Sequence, residues 1–157
     1  MSKFLSTSLC VALLAVPVAA NAEGQVIPND LSKCRSGPST LVQISGVKAG
    51  TGKIRVQSYR ATPSDWLVKG RWISRIEVPA RAGSMTVCVP LPEAGSYGIA
   101  VRHDVNGNGK TDLRSDGGGM SNNPSINIFN LGKPSYTKTA FSVGNAPRTI
   151  SITMKYM

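Results

Sequence analysis

The chain contains few of the residues on which catalysis and metal binding usually depend. It has a single histidine, His103, and three cysteines among 157 residues. No serine lies in a Gly-x-Ser-x-Gly motif, so the sequence offers no nucleophile with a base placed beside it. One histidine and a few cysteines also leave too few ligands for zinc. We therefore predict a non-enzymatic protein without catalytic residues.

Long hydrophobic runs are also missing. No uninterrupted apolar stretch reaches the roughly 18 residues that span a bilayer. The only apolar run of note, residues 9–18, follows the positively charged Lys3 and precedes Ala20-Asn21-Ala22, a small-x-small cleavage site. This arrangement predicts a cleaved signal peptide, a periplasmic or secreted protein, and no transmembrane segment after cleavage. The predicted parts are a signal peptide (1–22), an N-terminal arm (23–38) and one domain (39–157).

Acidic residues are scarce, with 8 Asp and Glu against 18 Lys and Arg. Removal of the signal peptide takes away Lys3 and no acid, which lowers the formal net charge from +10 to +9. The basic residues are scattered singly along predicted strands without a stacking motif, which argues against nucleic acid as a partner. For an exported protein we expect anionic envelope partners: lipid head groups, lipopolysaccharide or acidic glycans. The alternative is a basic surface that only keeps the protein soluble.

The cysteines agree with export. Cys10 lies in the predicted signal peptide, so the mature chain keeps only Cys34 and Cys88. A compartment that oxidises thiols makes a disulfide between them the expected state. Two free thiols are the alternative.

The remaining sequence is rich in short runs with alternating apolar and polar residues, which predict strands. The turn at residues 48–52 predicts a hairpin between the predicted strands 40–44 and 53–59. No helical periodicity of convincing length occurs, so we predict an all-β fold, an antiparallel β-sandwich of about seven strands. The predicted strands are residues 40–44, 53–59, 72–78, 85–89, 95–101, 139–143 and 149–156.

The loop after the fifth predicted strand has the spacing of a calcium-binding loop. Calcium takes six to eight oxygen ligands, and such loops place side-chain oxygens at positions 1, 3, 5 and 9, a glycine at 6 and a carbonyl at 7. A calcium ion is therefore the cofactor that this sequence predicts. The predicted ligands are Asp104, Asn106, Asn108, the carbonyl of Lys110, and Asp112, with Gly109 at the sharp turn.

The loop departs from the helix-loop-helix calcium site in two ways. Position 12 is Ser115 rather than a bidentate glutamate, although Asp116 follows it, and no amphipathic helix flanks the loop. So few carboxylates predict weak binding, with a Kd of about 10⁻⁴–10⁻³ M. The alternative is a plain turn, because asparagine and glycine both tolerate positive φ and aspartate caps turns.

These residues also carry a family resemblance. Residues 91–112, 120–123 and 133–143 resemble exported bacterial proteins of the domain of unknown function 2141 family. That family shows a Leu-Pro-x-Gly-x-Tyr turn, a His-Asp-x-Asn-x-Asn-Gly-x-x-Asp loop, a Ser-Asn element and a Pro-x-Phe-x-x-Ala strand. The resemblance implies a transthyretin-like or immunoglobulin-like β-sandwich and no established activity. The segment 113–119 is shorter here than in the family, which usually carries a glutamate there.

Together these features predict a binding or structural module of the cell envelope, with its ligand unspecified. The alternative is a small envelope enzyme acting on glycan or lipid. An enzyme would place His103 and a carboxylate together in a cleft. A module would instead carry the loop at one end of the sandwich and lack a deep pocket.

Overall fold

The computed structural model describes residues 25–127, 130 and 132–156. In this part of the chain, ten strands form one seven-stranded and one three-stranded sheet, which confirms the predicted all-β class. The predicted signal peptide, residues 1–22, lies outside the described residues. Among them, no helix is long and apolar enough to cross a membrane.

The seven-stranded sheet, called the large sheet below, runs in the order β1-β4-β3-β6-β7-β10, and β8 pairs with the start of β6. Its strands are β1 (Gln25–Ile27), β3 (Lys53–Arg60), β4 (Ser74–Pro79), β6 (Gly95–Asp104), β7 (Gly117–Met120), β8 (Phe141–Val143) and β10 (Lys155–Tyr156). The three-stranded sheet, the small sheet, consists of β2 (Ser39–Val47), β5 (Gly83–Pro90) and β9 (Arg148–Thr153). Two short helical turns, η1 (Leu31–Cys34) and α1 (Tyr136–Thr139), complete the described elements.

The core forms between the inner faces of the two sheets. Side chains alternate along each strand, so every second residue points inward. On the large sheet Ile54, Val56 and Ile99 are fully buried, and on the small sheet Val42 and Val87 are too. Each such aliphatic side chain contributes about 1.5–3 kcal/mol on burial. The outer face of the large sheet is therefore free to carry polar side chains.

Two details of the predicted topology are wrong. The turn at residues 48–52 is not a hairpin, because β2 belongs to the small sheet and β3 to the large one. The sheets are also mixed rather than wholly antiparallel, since β2 pairs with β9 and β1 with β4 in parallel. Local alternation encodes that a segment is a strand, whereas its partners depend on contacts distant in sequence.

The C-terminal run predicted as one strand is divided between the two sheets. β9 ends at Thr153 in the small sheet and β10 begins at Lys155 in the large one, with Met154 buried between them. The predicted strand 139–143 is shortened to β8 because α1 occupies residues through Thr139. One chain segment thus closes the end of the sandwich.

The Ser-Asn element after β7 is structural. Ser121 donates to the carbonyl of Thr139 at 2.6 Å. Asn123 accepts from the backbone N–H of Thr153 at 2.7 Å and so connects the end of β7 to the small sheet. Asn122 and Asn123 both have positive φ, which asparagine tolerates better than most residues. The motif therefore ties the end of β7 to the small sheet.

The predicted disulfide between Cys34 and Cys88 is present, with the Cα atoms 5.7 Å apart. It joins η1, on the N-terminal arm, to β5 of the small sheet. Asn29 reinforces the attachment, since it accepts from the Cys88 N–H and donates to the Thr86 carbonyl. The arm is thereby fixed along the edge of the sandwich.

We expect reduction of this disulfide to lower the free energy of unfolding by about 4 kcal/mol, from the chain-entropy cost of closing a loop with a sequence separation of 54 residues. Urea titrations of the oxidised and reduced wild type measure this difference without changing any side chain. The variant Cys34→Ser is the control, because its midpoint should not respond to reductant. Two freely alkylated thiols in protein isolated from its native compartment would contradict the assignment.

Candidate functional site

The loop that was predicted to bind calcium begins where β6 ends. Asp104 is buried there, and its Oδ2 accepts from the N–H of Gly109 at 2.8 Å. Further along, Asn106 Oδ1 accepts from the Asn108 N–H at 3.1 Å, and Asn108 Oδ1 accepts from the Lys110 N–H at 2.7 Å. In each of these contacts a side-chain oxygen accepts from a backbone N–H further along the loop, and the loop is thereby held in a series of tight turns.

Asp112 closes the loop from its far side. Its Oδ2 accepts from the amide Nδ2 atoms of Asn106 and Asn108 at 2.9 and 2.7 Å. These two bonds lower the pKa of the Asp112 carboxyl, so it remains ionised at lower pH than a free aspartate. The structure thus joins Asn106, Asn108 and Asp112 directly, whereas Asp104 is tied to the same loop through the N–H of Gly109.

Asp116 is buried and ties the two ends of the loop together. Its Oδ1 accepts from the Val105 N–H at 3.2 Å and its Oδ2 from the Asp112 N–H at 3.0 Å. Both of its oxygens therefore bind backbone amides. Asp116 positions the loop against the start of β7.

Asp104 differs from Asp116 because only one of its two carboxylate oxygens accepts a backbone hydrogen bond among the described residues. The Oδ1 atom is buried, and none of the described residues donates a hydrogen bond to it. An ionised oxygen without a partner is costly to bury. Among the described residues, no three or more His, Cys, Asp or Glu side chains lie together in a group that could hold a metal ion.

Arg102 connects this loop to the sheet. Its Nη2 donates to the carbonyl of Gly109 at 3.0 Å and lies 3.5 Å from Asp104 Oδ2, and its Nη1 donates to Thr111 Oγ1 at 2.8 Å. Its Nε is buried, and no described residue accepts a hydrogen bond from it. The guanidinium therefore supplies a fixed positive charge under the loop while it keeps one donor unpaired.

His103 lies on the opposite face of β6, inside the core, with no exposed surface. Its Nε2 is 2.8 Å from the Thr51 carbonyl, which can only accept, so Nε2 carries a proton. In the neutral ring Nδ1 then accepts from the Tyr156 hydroxyl at 2.7 Å. That hydroxyl in turn accepts from the Lys48 N–H at 3.0 Å. Both ring nitrogens are thus occupied in fastening β6 to its neighbours.

A groove of about 250 Å³ crosses the outer face of the large sheet. Its floor is formed by alternate residues of β3, β6 and β7, and Leu113 and Asp116 of the loop form one wall. Ile126 and Lys133, which follow β7 in the chain, also line the groove. His103 is not among the residues that line this groove.

The groove has an excess of positive charge. The charged side chains that line it are Arg55, Arg102, Lys133, Lys155 and the single acid Asp116. Arg55 bonds Glu77 at 2.7 Å. Burial lowers the pKa of Arg102, and the nearby charge of Arg55 acts in the same direction. Arg75, next to them on β4, has its pKa lowered for the same two reasons. Several cations thus repel one another on one face.

The groove is not evident from the sequence. Basic residues alternate with apolar ones on β3 and β6, as in Ile54-Arg55 and Val101-Arg102, which indicates a basic outer face. The register that pairs Arg55 with Arg102 is visible only in the structure. The strand β7 was also missed, because a run of three glycines, Gly117–Gly119, has little tendency to form a strand.

Comparison with models of protein families gives a match. A model of the bacterial family DUF2141, described as an uncharacterized protein conserved in bacteria, matches residues 42–151, more than half of the chain. The matched part includes the loop, β7 and, apart from Lys155, the residues that line the groove. No curated protein matches the chain. No solved structure matches it either.

Proposed function

Because the chain belongs to the DUF2141 family, whose members are described only as bacterial and uncharacterized, we propose its function from the site itself. The protein is a non-enzymatic binding module of the cell envelope, and the groove on the large sheet holds an anionic ligand. The observation that carries this proposal is the excess of cations in the groove: four basic side chains and one acid line it.

The arrangement of these cations favours an anion over a purely solvated surface. Arg55 and Arg102 lie directly opposite each other on neighbouring strands, and like charges at such positions destabilise a sheet. An anion placed between them would reduce this repulsion.

A periplasmic or secreted location is part of this proposal. The disulfide between Cys34 and Cys88 is typical of oxidising compartments. The sequence of residues 1–22 has the features of a signal peptide. The ligand classes that such a compartment supplies are lipid head groups, lipopolysaccharide and acidic glycans.

The position of His103 supports a binding role over the alternative of a glycan- or lipid-directed enzyme. The enzyme hypothesis requires His103 and a carboxylate in one cleft, whereas His103 lies in the core with both ring nitrogens hydrogen-bonded. A general base must reach its substrate within hydrogen-bond distance.

If the groove binds anions, binding to anionic phospholipid vesicles should weaken with salt, because a salt concentration near 0.1 M screens exposed charges beyond about 10 Å. Lys155→Gln should weaken binding roughly fivefold, the effect of about 1 kcal/mol per cation near an anionic surface. Lys33→Gln removes the same charge from η1, which packs on the small sheet, and should leave binding nearly unchanged. Co-sedimentation with vesicles measures the salt dependence of binding and the affinities of the two lysine variants.

Two results of the vesicle experiment count against the proposal. Equal losses in the two lysine variants would mean that only the total charge matters, without a defined site. Absence of binding at low salt would leave solubility as the role of the basic residues.

We further propose that the loop after β6 binds calcium weakly. The supporting observation is the buried Oδ1 of Asp104, which has no donor among the described residues and belongs to the loop that carries Asn106, Asn108 and Asp112. The ligands are Asp104, Asn106, Asn108, Asp112 and the carbonyl of Lys110. Because Arg102 already contributes a positive charge beside Asp104, the affinity is low, with a Kd of about 10⁻⁴–10⁻³ M.

Calcium that binds only the folded state should raise the melting temperature. At about a hundred times Kd the gain in unfolding free energy is about 2.7 kcal/mol. Magnesium should do less, because it demands a tighter octahedral shell. Asp104→Ala should abolish the rise and still fold, whereas Asp30→Ala, which removes an acid from the arm, should keep it. A chelator-treated wild type whose melting curve ignores millimolar calcium would support the plain turn instead.

A further inference from the structure

The two ends of the groove differ in chemistry. At one end a row of paired residues crosses five strands of the large sheet: Glu77, Arg55, Arg102, Gly118 and Lys155. This row is rich in cations. At the other end the groove is lined by Leu67, Met120 and Ile126, which pack in an apolar cluster with Tyr59 and Trp66. A ligand that fills the whole groove must therefore be charged at one end and apolar at the other.

The floor of the charged end is bare backbone. Gly118 lies between Arg102 and Lys155 in that row. A Cβ built at Gly118 would have no described atom within 4 Å. Since adjacent strands are about 4.8 Å apart, Arg102 and Lys155 flank an open space two strands wide above this glycine. That space can accommodate an anionic group between two cations.

The wall of the apolar end is held in a strained conformation. Leu67 has a φ of +57°, a region that residues other than glycine seldom adopt and that costs of order 1 kcal/mol. Its side chain packs against the cluster that contains Met120 and also lines the groove. The strained backbone at Leu67 thus occurs at a residue whose apolar side chain lines the groove.

The size of the groove limits the ligand. Its volume of about 250 Å³ lies just under the roughly 300–1,000 Å³ that drug-sized ligands occupy. One head group with one chain fits such a space better than a lipid with two chains does.

From these observations we infer that the groove binds a single-chain amphiphile with an acidic head group. The head group lies over Gly118 between Arg102 and Lys155, and the chain extends along Met120 toward Ile126. This inference rests on the proposed anion-binding function and adds the apolar half of the ligand. The shared chemistry is an anionic head on one alkyl chain, and its sources are a free fatty acid or a single-chain lipid phosphate.

Calorimetric titration of the disulfide-bonded mature chain with decanoate, monodecyl phosphate, acetate, inorganic phosphate and decanol tests the inference. Decanoate or monodecyl phosphate should bind at least about tenfold more tightly than acetate and inorganic phosphate, because each buried CH₂ contributes favourably. The preferred head group identifies the source. Decanol should bind at least about tenfold more weakly than the preferred amphiphile, since it offers no charge to the cations.

A large side chain at Gly118, on the floor of the groove, tests the position of the head group most directly. Gly118→Leu should abolish amphiphile binding without lowering the melting temperature, because its φ is ordinary and the space above it is open. Gly144→Leu, at an exposed glycine with equally open surroundings outside the groove, is the matched control and should bind as wild type.

The variant Ile126→Asn tests the apolar end of the groove. It should weaken the binding of decanoate about tenfold and leave the binding of acetate unchanged. Lys155→Glu, at an exposed position, tests the head-group site if Gly118→Leu does not fold.

The possible failures can be told apart. If acetate and inorganic phosphate bind as tightly as the amphiphiles and Gly118→Leu blocks them all, the amphiphile inference is overturned and the anion site stands. If decanol bound as tightly as decanoate, both the amphiphile inference and the proposed anion site would be overturned. Amphiphile binding that survives both Gly118→Leu and Lys155→Glu would place the ligand elsewhere and overturn the inference.

Discussion

The alternation of side chains along β6 is the constraint on which both the core and the candidate site depend. Successive residues of a strand point to opposite faces. Ile99, Val101 and His103 are buried on the inner face, while Arg102 on the outer face lines the groove. Burial of the inner set fixes the register of β6 against β3, so the guanidinium of Arg102 is placed as a consequence of how the core packs.

The three glycines of β7 also differ in role according to the face of the sheet toward which a side chain at each position would point. A side chain at Gly117 would collide with the ring of Tyr156, and one at Gly119 with Ile152. These two glycines let the C-terminal strands approach closely, and Tyr156 then reaches His103. Gly118, between them, faces the groove and leaves its floor open. Three consecutive glycines thus have two different physical roles.

The sequence was sufficient for features that depend on local chemistry. Alternating apolar residues predicted an all-β fold, and two remaining cysteines predicted the disulfide. The spacing of Asp104, Asn106, Asn108 and Asp112 also indicated the loop at the end of β6, whose role as a calcium site stays a prediction. Partners distant in sequence were not predictable in this way: β2 and β3 enter different sheets, and the pairing of Arg55 with Arg102 follows from packing of the whole sandwich.

The central claim is that the outer groove of the large sheet is where this protein binds an anionic ligand. Nitrogen-15 NMR of the oxidised protein tests it most directly, because it reports every backbone amide and the arginine Nε–H groups during a titration with decanoate. The account predicts that the largest shifts fall on the Gly118 amide and the Arg102 Nε–H, while β2 and β5 of the small sheet stay unchanged. Shifts centred on the small sheet, or spread evenly over exposed lysines including Lys33, would contradict it.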